Sequence, residues 1–430
     1  MAKQTNLDLR LMTFYQVFPR QHTLKQNFAG VVDDLERIKN LGVDILYLLP
    51  IHPIGEIARK GSKGSPYAIK DYYEINPEYG TMQDFERLIQ KAHQLGMKVM
   101  IDIVINHTSK DSVLTKKHPE WFYKNEKGDF ANRVGDWSDI TDLDYRHHDV
   151  WTYMQNMLMF WAKKVDGFRC DVAPMIPLDF WLETRKYINE LRPDFIWLTE
   201  SVHPGFIKYL RDMGFDCHSD SEMYQAFDIC YDYDIFEHME NYLKQPRKLN
   251  AWIHAIKQQE VIYPKNYIKL RSFENHDQPR LSSRTRDTAH FIQMLAFMFF
   301  LKGSPFIYAG MEHQDKKQPS LFDDDFVVWQ KEMSVEHVIK KLTHIKKNPL
   351  FRDGYFNIEQ NKGVVYATYE RDNDIIIGIF NLENNLQVMT NLKDDKYKNM
   401  MDHTHIEVKN KIIELNDQPI IILTKKDKTL

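Results

Sequence analysis

From Thr13 to Glu312 the chain alternates short apolar runs with longer stretches whose apolar positions recur every three to four residues. That alternation marks strand–helix units feeding a parallel sheet. Buried strands are predicted at Thr13 to Phe18, Ile45 to Leu49, Val99 to Ile105, Gly167 to Val172, Phe195 to Thr199, Ile268 to Phe273 and Pro305 to Tyr308. A further strand, sixth in order, is needed to complete the set and is expected near Asp216 to Asp220. Amphipathic stretches at 28–41, 82–95, 150–163, 178–191 and 289–301 are each long enough for a crossover helix. Eight such units close into a TIM (β/α)8 barrel.

After a helical stretch at 335–347 the period changes to two. Runs at Val364 to Tyr369, Ile375 to Phe380, Ile412 to Leu415 and Ile420 to Leu423 read as antiparallel strands, with turns at Asn384-Asn385 and Asn416-Asp417. The expected organisation is a barrel over residues 1–108 and 144–350, a short insertion after the third strand at 109–143, and a C-terminal sandwich-like β domain at 351–430. The charged end, Lys425 to Leu430, is expected to fray. Trp121, Phe122, Tyr123 and Trp137 concentrate aromatic surface in the insertion, either as a small core of its own or as a wall for a sugar.

Composition narrows the partners. The 57 basic and 61 acidic side chains nearly cancel to a formal charge of -4, which gives no field to steer a polyanion, so a neutral substrate is expected and nucleic acid is not. Cys170, Cys217 and Cys230 lack the paired spacings of a metal or disulfide framework and read as reduced thiols. Polar residues interrupt the N-terminal segment where a signal peptide needs its apolar stretch, and no apolar run is long enough to span a bilayer. A cytoplasmic protein without a membrane partner is the expectation.

Barrel active sites form at the C-terminal ends of the strands, so polar residues terminating apolar runs are the first candidates. The third strand ends in Asn106-His107, the fourth in Arg169-Cys-Asp171, the fifth in Glu200 and the seventh in His276-Asp277. Arg169 and Asp171 are two apart and so face the same way, and an arginine beside a carboxylate favours its charged form, as a nucleophile needs. Glu200, from the neighbouring strand, would feel like charges from Asp171 and Asp277 that favour its protonated form, as a general acid needs. Adjacent strands lie roughly 5 Å apart, close to the carboxyl separation of a retaining glycosidase. His107 and His276 are placed to donate hydrogen bonds to sugar hydroxyls.

Four segments in this order, DIVINH (Asp102 to His107), GFRCDVA (Gly167 to Ala173), the glutamate of LTES (Glu200) and FENHD (Phe273 to Asp277), resemble the signatures of the α-amylase family of glycoside hydrolases. YQVFPR, GVDILYLLPIHP, PYAIKDYYEINPEYGT, DLDY and GMEH extend the resemblance over roughly the whole chain. It implies Asp171 as nucleophile, Glu200 as acid/base and Asp277 as the carboxylate that stabilises the transition state. It further implies that Tyr67, His107, Arg169 and His276 hold the attacked glucose. Asp102 lies inside its strand and is expected to support the site through hydrogen bonds. Arg280, Arg284 and Arg286 read either as outer sugar contacts or, more simply, as a solvated ion-paired cluster.

The resemblance implies retaining hydrolysis of α-1,4-glucans or maltooligosaccharides, with an exo-acting α-glucosidase, an oligo-1,6-glucosidase or a transglycosylase as alternatives. Many amylases carry Lys-His after the nucleophile segment, whereas Pro174-Met175 stand here, so the leaving side must be built differently. Noncatalytic transporter-associated relatives lack an intact carboxylate set and carry a membrane helix, and fit poorly. Calcium-binding relatives take their ligands partly from a longer insertion after the third strand, and Asn106 is the candidate calcium ligand here. The insertion supplies no acidic cluster for the roughly six to eight oxygens calcium takes, so no metal is expected to be required.

Overall fold

The computed structural model describes residues 5–429. Eight parallel strands close a barrel in chain order: β1 (Phe14–Val17), β2 (Ile45–Leu48), β3 (Lys98–Ile103), β4 (Gly167–Cys170), β5 (Ile196–Thr199), β6 (Ile229–Tyr231), β7 (Lys269–Arg271) and β8 (Ser304–Tyr308). Apart from Lys98, which opens β3, every residue of these strands is buried, as expected of a sheet covered by helices on its outside. The predicted crossover helices form at Phe28–Asn40, Met82–Gln94, His148–Ala162, Leu178–Asn189 and Thr288–Phe300. Asn27, Thr81 and Asp287 cap three of them by accepting first-turn N–H groups, which explains why those helices start where they do.

The sixth strand is displaced from its expected position. Residues 215–219 have no regular structure, Asp220–Met223 is one helical turn, and the strand forms at Ile229–Tyr231. Three apolar residues between Asp228 and Asp232 make too short a run for periodicity to detect. Its position is fixed by Asp228, whose carboxylate accepts the Trp197 N–H of β5 at 3.0 Å and an Arg185 N–H at 2.6 Å. Two helices that the pattern did not resolve, Tyr233–Lys244 and Leu249–Ile262, follow it.

The insertion leaves the barrel through a two-stranded ladder in which His107–Ser109 pairs antiparallel with Ile140–Asp142. Its aromatics divide between the two expected roles: Trp121 and Phe122 are buried, whereas Trp137 lines the mouth of the barrel. The C-terminal segment forms two four-stranded antiparallel sheets. One contains Tyr355–Asn361, Val364–Arg371, Asp374–Asn381 and Ile420–Lys425. The other contains Gln387–Met389, Ile412–Glu414, His405–Lys409 and Asp395–Lys398. Residues 425–429 do not fray as expected, because Lys425 and Lys428 pair with Asp374 and Asp395, and Thr429 bridges to Leu392; Leu430 lies outside the described residues. Among the described residues no helix is long and apolar enough to cross a membrane. Cys170, Cys217 and Cys230 are free and buried.

A buried cation ties the short β6 to β7. Lys269 Nζ donates to Asp220 at 2.5 Å, to Asp234 at 3.0 Å and to the Tyr231 carbonyl at 3.1 Å, with no exposed side-chain surface. Lys269→Met would leave two buried carboxylates without their cation, which typically costs about 3–5 kcal/mol. The variant is expected to unfold at a lower urea concentration than the parent. The loss should be greater at pH 8 than at pH 5, because both carboxylates are then ionised. An unchanged midpoint at both pH values would rule this role out.

Candidate active site

The alternation of β3 and β4 aims three charged side chains into the barrel mouth. Asp102 and Arg169 are register partners across the two strands, so they share a face, and Asp171 follows two residues after Arg169. Arg169 Nη1 donates to both Asp102 oxygens, at 2.9 and 3.1 Å, and to Asp171 Oδ1 at 2.8 Å. Its Nη2 lies 2.8 Å from Glu200 Oε1, but without the alignment of a hydrogen bond. Tyr67 and Tyr231 flank the guanidinium at 5.8 and 5.4 Å, a cation–π setting that stabilises a buried charge.

Asp102 therefore supports the site from within its strand. In addition to Arg169 it accepts the hydroxyls of Tyr47 at 2.7 Å and Tyr67 at 3.0 Å. Glu200 sits one residue beyond β5, its backbone N–H on the Cys170 carbonyl, and its Oε2 accepts the Val172 N–H at 2.8 Å. Val172 has φ +34°, a left-handed conformation that strains a β-branched residue. The strain turns the N–H after Asp171 towards Glu200 and so couples the two carboxyls through the backbone as well as through Arg169.

Asp171, Glu200 and Asp277 line one cavity of about 330 Å3 together with Tyr67, His107 and Trp137. Arg169 and His276 are buried behind that lining. His276 also orients its neighbours. Its Nδ1 accepts from Gln16 Nε2 at 3.0 Å, which leaves Nε2–H to face Asp277 Oδ2 at 3.0 Å and the Tyr67 oxygen at 2.5 Å. The Tyr67 and His276 rings stack at 5.6 Å. His107 does reach the cavity, and Asn106 Nδ2 donates to its Nδ1 at 3.2 Å, which leaves Nε2–H as the donor to a ligand. Burial lowers its pKa, so it is a neutral donor.

Burial raises Asp171 to about 7 and Glu200 to about 8, against the opposing pull of Arg169 in both cases. This changes the electrostatic account expected from sequence, in which Arg169 alone kept Asp171 charged. One guanidinium cannot neutralise every carboxyl around it, and the difference between the two lies in geometry. Asp171 receives an aligned hydrogen bond from Arg169 and Glu200 only a close approach, so of the two Glu200 keeps its proton to the higher pH. At Asp277 the partial loss of solvent pushes upward, but the His276 ring and Arg169 outweigh it and the pKa is lowered. With 42% of its side-chain surface open, Asp277 keeps solvent to support the charge.

The oxygens around Asn106 hold an arginine that sequence reasoning passed over. Arg133 N–H and Nε donate to Asp142 Oδ2 at 2.9 and 2.8 Å. Nη2 donates to the Leu143 carbonyl at 3.0 Å and Asn106 Oδ1 at 3.4 Å, and Nη1 faces the Met175 carbonyl at 3.5 Å. A calcium ion needs about six to eight oxygens, and here the donor set is occupied, with only Asp142 Oδ1 left buried and unpartnered beside it. These residues do not fit a calcium site. Among the described residues, no group of three or more His, Cys, Asp or Glu side chains stands ready for a metal. Arg280, expected in a solvated cluster, is fully buried on Glu274 at 2.8 Å and Asp315 at 3.3 Å. Arg284 and Arg286 pair with Glu240 and Glu383.

Residues 16–371 match the family model described as alpha amylase, catalytic domain, and residues 357–422 match the bacterial alpha amylase C-terminal domain. The chain is 27% identical to alpha-amylase MalA of Haloarcula japonica over 69% of its own length and 43% of that protein. It is 26% identical to the intracellular maltogenic amylase of Bacillus subtilis, over 87% of this chain and 65% of that one. The chain thus spans less than two thirds of these curated relatives. Among solved structures, an alpha-amylase from Lactobacillus plantarum superposes with a TM-score of 0.95 at 46% identity, covering 97% of this chain and 100% of that one. A noncanonic maltogenic alpha-amylase, AmyB from Thermotoga neapolitana, gives 0.85 at 33% identity over 97% and 99%.

The raised pKa of Glu200 carries a stability cost with a definite sign. Below the ordinary glutamate range both folded and unfolded states hold the proton, so there is no penalty. As pH rises towards about 8 the unfolded state has released its proton while the folded state must keep it or bury a charge. Glu200→Gln, always neutral, is expected to melt higher than the parent, by a margin that grows between about pH 5 and 8 and then levels. Melting curves across that range test it, and a margin that shrinks with pH would contradict the assignment of the proton to Glu200.

Proposed function

Since the chain belongs to the alpha-amylase family, we propose that it hydrolyses α-glucosidic bonds of α-1,4-glucans or maltooligosaccharides by double displacement. Asp171 attacks the anomeric carbon and Glu200 gives its proton to the departing oxygen. In the second half-reaction Glu200 takes a proton from water, which attacks the glucosyl ester and releases product with its α configuration retained. Asp277 faces the positive charge that develops on the sugar ring, and His107 and Tyr67 hold the sugar.

The observation that carries the reading is the division of one guanidinium between two carboxyls on neighbouring strands, aligned on Asp171 and unaligned on Glu200. It favours the charged form of the first and the neutral form of the second, as attack and proton donation require. The names of the maltogenic relatives support maltooligosaccharides as substrates. Three buried thiols and the intracellular relative from Bacillus subtilis support a cytoplasmic setting. Proton NMR of the first product from maltooligosaccharides, read before mutarotation, should show the α anomer. Asp171→Asn and Glu200→Gln, checked for folding, should each lower turnover by several orders of magnitude. A β anomer, or near-parent turnover in either variant, would overturn the assignment.

We further infer that Arg133 supplies internally the positive charge that fastens the insertion to β3 and β4, so the enzyme works without calcium. Its contacts join Asp142 and Leu143, at the end of the insertion, to Asn106 and Met175 of the barrel. Exhaustive chelation is expected to change neither rate nor melting temperature, and Arg133→Ala to lower the melting temperature and raise KM. A calcium-reversible loss on chelation of the parent enzyme would refute the inference.

A further inference from the structure

Two cavities meet at the carboxylates, and their different ends bear on where a glucan chain is cut. The cavity described above shares Trp137, Val172, Glu200 and Asp277 with a second one of about 210 Å3. From these shared residues the first runs to Lys60, Ser65 and Phe322, and the second to Val202, His203, Phe206 and Tyr233. They are the two arms of one cleft. On the double-displacement reading, upon which this inference rests, the proton donor stands beside the departing oxygen, so the leaving sugars lie on the Glu200 side over Val202, His203 and Phe206. The sugars that remain attached to the attacked carbon extend towards Lys60. Because attack is at the anomeric carbon, that arm receives the non-reducing end.

The Lys60 arm is closed by a bar of backbone and charge. Lys60 Nζ lies 3.1 Å from Asp139 Oδ1, in the insertion, with side-chain exposures of 33% and 5%. The ammonium also stands 5.9 Å from the centre of the Phe322 ring. Immediately after Lys60 the loop is fastened to the opposite wall. The Ser62 N–H and hydroxyl donate to Asp323 Oδ1 at 2.9 and 3.1 Å, and the Lys63 N–H donates to the Phe322 carbonyl at 2.8 Å. Gly61, at φ +60°, makes this approach sterically accessible, since a Cβ there would lie 2.5 Å from that carbonyl. One short segment therefore joins the insertion to the loop after β8 across the end of the arm.

We propose that this bar stops the glycone, so that the enzyme takes glucans by their non-reducing ends and prefers short maltooligosaccharides, with Lys60 and Asp139 as the specificity-determining pair. The ammonium and carboxylate offer a donor and an acceptor to the hydroxyls of a terminal sugar, and a continuing chain would have to displace both. The opposite arm, lined by Val202, His203, Phe206 and Tyr233, is then the one that takes leaving groups of varied length.

The test compares aryl maltooligosaccharides with a free non-reducing end and the same compounds blocked there by a 4,6-acetal. The parent enzyme is expected to cleave the free form at least about tenfold faster. In the double variant Lys60→Ser/Asp139→Ser, shown to be folded by its melting curve, the ratio should fall towards one because the blocked form gains. Equal rates on both forms in the parent overturn the cap whether or not the variant folds. A folded variant that keeps the full discrimination overturns Lys60 and Asp139 as its cause. Failure to cleave either form would instead refute the underlying glucosidase reading, which separates the two claims.

Discussion

The guanidinium of Arg169 is the cation on which the rest of the site depends. It is fully buried, lies between two tyrosine rings, and is within bonding or ion-pair distance of Asp102, Asp171 and Glu200. A buried charge of this kind costs several kcal/mol to desolvate, so it persists only if carboxylates are held against it. Two of those carboxylates, Asp171 and Glu200, are in turn pushed towards neutrality by the same burial. The opposing demands leave one proton more than solution chemistry would allow and place it on the member of the set that Arg169 binds least well.

The barrel makes this possible because neighbouring parallel strands bring side chains of distant sequence into register. Asp102 and Arg169 are 67 residues apart and hydrogen-bonded. Val172 adds the one local strain of the arrangement, and the cost is offset by the N–H it presents to Glu200. The insertion then closes over the mouth through Trp137 and Asp139, while Arg133 fixes its base. Fold, charge and cavity shape thus share the same few residues.

The barrel strands, the antiparallel tail and the residues at the strand ends were legible in the sequence because each rests on local periodicity or on a motif of fixed spacing. β6 was not, since a three-residue strand flanked by aspartates is held by Asp228 and Lys269 contacts and not by its own apolar run. The buried role of His276 escaped for a similar reason: its partners Gln16 and Tyr67 lie 260 and 209 residues away. Arg133 reads in isolation like any loop arginine, and nothing in its neighbours announces Asn106 or Met175. Lys60 and Asp139 come from two separate loops, and only the closed fold brings them to one end of the cleft.

The imbalance of one arginine among Asp102, Asp171, Glu200 and Asp277 has a consequence for what the pocket will retain. Above the range in which Asp171 and Glu200 release their protons, the cavity carries surplus negative charge in a setting that screens it poorly. A sugar mimic bearing an ammonium at the ring position would be drawn in more tightly as the medium becomes more alkaline, up to the point where the amine itself is neutralised. A phosphorylated sugar of the same shape would be repelled under the same conditions, so the carboxylates left unmatched by the single arginine sort ligands by the sign of their charge.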